Sequence, residues 1–81
     1  MKLRPKVLEA LAAHGIDVGP GEEPAVLRER LNDVYLLEVR KLKERQRAGE
    51  IPLPDYAAHV QALKERFELL GLPLALWIEV E

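Results

Sequence analysis

The sequence predicts a mainly α domain: an antiparallel helical hairpin with a short N-terminal helix and a C-terminal β-strand, one unit over residues 1–81. Three observations carry this. Two stretches set apolar side chains at three- and four-residue spacing, as amphipathic helices require. A short link with glycine and proline, "GEIPLP", joins them, and short links favour antiparallel neighbours. The terminal "LALWIEVE" puts Leu74, Leu76, Ile78 and Val80 on one side and Ala75, Trp77, Glu79 and Glu81 on the other, the period of a half-buried strand.

The first helix is expected over 5–14. Pro5 suits a first turn, where a missing N–H is no loss. Leu3, Val7, Leu8, Leu11 and Ala12 make its apolar stripe, and Gly15 takes the left-handed position after the last turn, letting Ile16 fold back on Leu11. The stretch "DVGPGEE" cannot continue a helix. The second helix is expected over 24–48, with Glu22 and Glu23 at its start and Arg45 and Arg47 at its end, both favourable to the helix dipole. Leu27, Leu31, Val34, Tyr35, Val39 and Leu42 share an arc of about 140° on the helical wheel. Val26 and Leu37 lie on a flank and Leu36 lies across the helix, a pattern that asks for more than one neighbour.

The third helix is expected over 54–70, on the stripe Tyr56, Val60, Leu63, Phe67 and Leu70, with Gly71 and Leu72 repeating the ending of the first helix. Pro73 blocks further helix, and Trp, Ile and Val favour a strand over 74–80. A short helix from Pro73 would instead group Leu72, Leu76 and Val80. A strand needs a mate: either Ile16–Val18 of the same chain or the same strand of another copy, with the second copy preferred. Trp77 then points away from the helices toward a partner, or packs over the first helix or the "DVGPG" loop.

Composition narrows the chemistry. The chain has no cysteine, so disulfides, thiolate metal sites and a cysteine nucleophile are excluded. Serine and threonine are absent too, which removes the other usual acyl-transfer nucleophiles and the hydroxyl of a P-loop. No enzyme activity and no cofactor are therefore expected. At 48% hydrophobic and 32% charged the chain reads as folded, and its net charge of −2 gives no global attraction to nucleic acid or acidic membranes. No apolar run reaches the ~18 residues of a spanning helix and no signal-peptide core opens the chain, so a cytoplasmic protein is expected. Few amide side chains, many charges and proline-rich loops fit a thermophile.

Three clusters stand out as candidate sites. Arg40, Lys41, Lys43, Arg45 and Arg47 form the basic segment "RKLKERQR", which would contact nucleic acid if gathered on one face and otherwise caps a solvated helix end. Glu38 falls inside the apolar arc of the second helix, as an edge carboxylate reaching water or a cation, or else as a buried group of functional kind. With His59 it could carry chemistry only in a pocket that so small a core would struggle to enclose. His14 and His59 are 45 residues apart without ligand-spaced partners, weak grounds for a metal. His14 reads as a helix-end cation or carbonyl partner and His59 as a packing residue.

The stretch "LKERQRAGEIPLPDYAAHVQAL" resembles the SHOCT-type short helical hairpins, through Gly49, Ile51 and Tyr56 preceded by Leu42 and followed by Leu63. It departs from them where Pro52 replaces a capping threonine, where Pro54 and Asp55 replace two acidic residues, and where Val60 replaces a lysine. The resemblance implies an oligomerising or interaction module. A core this short buries only about 60–65% of its unfolded surface, and a second subunit is the usual remedy without cysteine. The expectation is thus a non-catalytic protein-protein interaction or self-association module, a homodimer or a partner of another protein, whose interface is Leu36, Leu37, Leu74, Leu76, Trp77, Ile78 and Val80. The alternative is a nucleic-acid-binding regulator using Arg40–Arg47.

Overall fold

The computed structural model describes residues 2–79. Three α-helices, α1 (Pro5–Ala13), α2 (Pro24–Arg47) and α3 (Leu53–Arg66), are followed by two 3-10 turns, Glu68–Gly71 and Leu74–Leu76. α2 and α3 form the hairpin, and the chain is elongated, 49 × 19 × 16 Å.

Each α-helix begins with proline in its first turn, as expected. α1 ends in a Schellman motif: Gly15 sits at φ +75°, its N–H donates to the Ala12 carbonyl at 3.0 Å, and the Ile16 N–H donates to the Leu11 carbonyl at 2.9 Å. α2 ends the same way. Gly49 at φ +81° donates to Gln46 at 3.1 Å, and the Glu50 N–H donates to Arg45 at 3.0 Å. Ile51 then turns into the core at the hairpin base, beside Leu42 and Leu63 in the same apolar cluster. The rest of that cluster is Val7, Leu11, Ile16, Leu27, Leu31, Phe67, Leu69 and Trp77.

α3 stops earlier than its periodicity predicts. At Phe67 (φ −111°, ψ 35°) the chain tightens into the turn Glu68–Gly71, which buries Leu69 and leaves Leu70 half-buried. Arg28 fixes this turn by donating from Nη2 to the Leu70 carbonyl at 2.9 Å. Gly71 has no positive φ, and Leu72 donates to Leu69 rather than closing a second Schellman motif.

The largest departure is at the C-terminus, where the expected strand over 74–80 does not form among the described residues. Leu74–Leu76 curl into a 3-10 turn after Pro73, and the extended geometry is one antiparallel bridge between Ile78 and Leu3. Two bonds flank it: the Arg4 N–H to the Trp77 carbonyl at 2.9 Å, and the Glu79 N–H to the Lys2 carbonyl at 2.8 Å. The backbone mate within the chain is thus the segment ahead of α1 rather than Ile16–Val18. Val80 lies outside the described residues.

Side-chain size explains this outcome. A strand would bury Leu74 and Leu76 and leave Trp77 outside; the turn reverses that, and Trp77 is 0% exposed while Leu76 is 43% exposed. An indole buries ~200 Å² against roughly half as much for an aliphatic chain, a difference of about 2.5 kcal/mol at ~25 cal/mol per Å². Against that gain, Trp77 Nε1 has no hydrogen-bond partner among the described residues, a cost of about 1–3 kcal/mol. Apolar area wins.

Candidate functional site

The outward side of α2 is the most distinctive surface. Its inner arc faces the core through Leu27, Leu31 and Leu42, and its other side is exposed among the described residues. Leu36 is 52% exposed, Leu37 49% and Val26 43%. They sit among charges, with Glu29 and Asp33 toward the N-terminal half and Arg40, Lys43 and Arg47 toward the C-terminal half, all exposed.

The remaining residues expected at an interface are placed elsewhere. Leu74 and Ile78 are half-buried partners of the core, and Trp77 lies wholly within it. Leu76 lines a cleft of about 330 Å³ with Arg4, Val7, His14, Arg66 and Phe67, between α1 and the end of α3. Leu36 and Leu37 therefore keep an open surface, whereas Trp77 has no side chain to offer a partner.

All five cations of the basic segment are exposed, but the helix divides them. Arg40, Lys43 and Arg47 follow i, i+3, i+7 spacing on the outward side. Lys41 and Arg45 turn toward α3, where with Glu38, His59 and Arg66 they line a groove of about 270 Å³. The fold therefore brings Glu38 and His59 to one groove, which sequence spacing alone could not establish. Glu38 pairs there with Lys41 at 3.4 Å, its side chain one-third exposed, the edge carboxylate among cations that the wheel allowed. Arg45 reaches Glu50 at 3.5 Å. His59 is exposed rather than packed, and no group of three or more His, Cys, Asp or Glu gathers among the described residues.

His14 is a carbonyl partner, one of the two roles expected of it, but the carbonyl belongs to α3 rather than to its own helix. Its Nε2 lies 2.9 Å from the Arg66 carbonyl, and since a carbonyl only accepts, Nε2 carries the proton. Its ring stacks on Phe67 at 4.1 Å between centroids, and Tyr35 meets the same ring edge-on at 5.3 Å. One aromatic group thus ties the ends of α1 and α3 to the middle of α2. The signal in the sequence was Gly15, which stops α1 directly after His14.

No protein-family model matches the chain, and comparison with curated proteins and with solved structures finds no significant match.

Proposed function

We propose that this chain is a cytoplasmic, non-catalytic self-association module, a homodimer formed through the outward side of α2. One observation carries the reading: Leu36 and Leu37, adjacent in the middle of a 24-residue helix, each stand about half exposed among the described residues. Scattered exposed leucines need no explanation, but a pair midway along an open face of a long helix, with Val26 further along and charges between and around them, supports an interface there. The absence of Ser, Thr and Cys supports a non-catalytic role. Sedimentation equilibrium at tens of micromolar tests it, since an interface of one helix face lies at the weak end of the size range. A reversible dimer is expected; a monomer throughout overturns the reading.

A second reading, a nucleic-acid-binding regulator using Arg40–Arg47, is supported by the three exposed cations that share the outward side of α2, Arg40, Lys43 and Arg47, and is opposed by the turn of Lys41 and Arg45 toward α3. Salt-dependent retention on DNA or RNA, lost in an Arg45→Ala, Arg47→Ala variant, is its expected signature. No retention at low salt ends it.

A further inference from the structure

The exposed charges on the outward side of α2 lean acidic before Leu36 and basic after Leu37, and their order points to one occupant. Glu29, Asp33, Leu36, Leu37, Arg40 and Lys43 are all exposed and share an arc of about 120° on the helix. Among these six the acids precede the leucines and the bases follow them, while Glu44 within the same arc and Arg30 at its edge run the other way. A parallel copy would set Asp33 against Asp33 and Arg40 against Arg40. An antiparallel copy reverses the order and sets acid against base.

We propose that a second copy of this chain docks antiparallel on α2, its two-fold axis passing between Leu36 and Leu37. This rests on the self-association reading above and adds its orientation and its charge code. An axis perpendicular to both helices brings each flank of α2 against the same flank of its partner. On one flank Leu36 meets Leu36, and Glu29 meets Lys43 of the second copy. On the other flank Leu37 meets Leu37, and Arg30 meets Glu44 of the second copy. Along the centre line Asp33 meets Arg40 of the second copy. These three facing pairs are opposite in sign and symmetry makes each twice; Glu29 also lies level with Glu44 of the second copy, one repulsion that the attractive pairs outnumber. Arg30 already holds Glu22 at 3.0 Å within its own chain, so the pairs that specify the register are Glu29 with Lys43 and Asp33 with Arg40. The arrangement uses α2 without disturbing the core, since the residues concerned are exposed and outside the buried cluster.

The test separates orientation from association. Sedimentation equilibrium of the full chain comes first; a monomer at every concentration overturns both readings. Given a dimer, Asp33→Arg and Arg40→Asp are each expected to weaken it about tenfold, because each turns two attractive contacts into repulsive ones. The double variant, D33R with R40D, restores the original affinity. A parallel dimer responds differently, since its like-charged contacts stay like-charged in both single variants. The chain has no cysteine, so introduced thiols report orientation directly. A mixture of Val26→Cys and Arg47→Cys copies is expected to crosslink between the two variants. Neither crosslinks to itself, because antiparallel copies hold their own equivalent positions ~31 Å apart along the axis at 1.5 Å per residue. Far-UV circular dichroism matching the unaltered chain shows that each variant is folded. A dimer whose single charge variants bind unchanged, or in which V26C crosslinks to itself, overturns the antiparallel arrangement and leaves self-association standing.

Discussion

The backbone N–H of Arg4 donates to the carbonyl of Trp77 at 2.9 Å, joining the residue ahead of α1 to the residue that plugs the core from the other end of the chain. The Arg4 side chain strengthens the join, its Nε donating to the Ile78 carbonyl at 3.1 Å. The two chain ends thus hold each other, and the tryptophan between them is the largest fully buried side chain.

Trp77→Ala should cost about 3–5 kcal/mol, a large share of the roughly 5–15 kcal/mol typical of a domain. Trp77→Phe should cost only about 1–2 kcal/mol, because it keeps an aromatic ring and removes a buried donor that has no partner. Urea unfolding followed by far-UV circular dichroism measures both. Equal losses would show that the indole N–H contributes to stability.

The amides of Arg4 and Glu79, both bonded across the Leu3–Ile78 bridge, should exchange slowly with solvent although they lie near the chain ends. Hydrogen exchange by NMR reads this residue by residue. Exchange as fast as in an unfolded peptide would mean the two ends separate freely.

Glycine substitutions should sort by backbone angle. Gly15→Ala and Gly49→Ala force a side chain into the left-handed region and should each cost about 1–2 kcal/mol. Gly71 has no positive φ, and an added Cβ there meets nothing within 4 Å, so Gly71→Ala should stay within about 0.5 kcal/mol. Thermal melts of the three variants rank them.

Phe67→Ala should cost about 3–5 kcal/mol, since it removes the ring on which both His14 and Tyr35 pack. By contrast, Glu22→Gln should change stability by less than about 1 kcal/mol, because its contact with Arg30 is largely solvent-exposed. A loss at Glu22 as large as at Phe67 would mean that the turn before α2 is held by charge rather than by packing.

The helices were legible in the sequence because their signals are local. Proline opens each one, glycine closes α1 and α2, and the inner stripe of α2 is buried or half-buried as its spacing requires. The end of α3 was not, because Leu69 and Leu70 suit a core equally well, and the choice between them depends on Arg28 holding the Leu70 carbonyl from another helix. Of the candidate interface, Leu36 and Leu37 were readable from the wheel of a single helix. Trp77 was not, since its side depends on whether the backbone before it runs straight or turns.

Spacing and turn chemistry along the chain are enough to define a helical hairpin, its caps and the exclusion of cysteine and hydroxyl chemistry, because each rests on residues a few positions apart. Alternation in "LALWIEVE" suggested a strand, yet period alone does not weigh one side chain against another. The folded molecule decided that competition. Burying the indole of Trp77 removes more apolar surface from water than burying Leu76, and the Lys2–Arg4 backbone supplies both a donor, the Arg4 N–H, and an acceptor, the Lys2 carbonyl, that a strand would otherwise have sought from a neighbour.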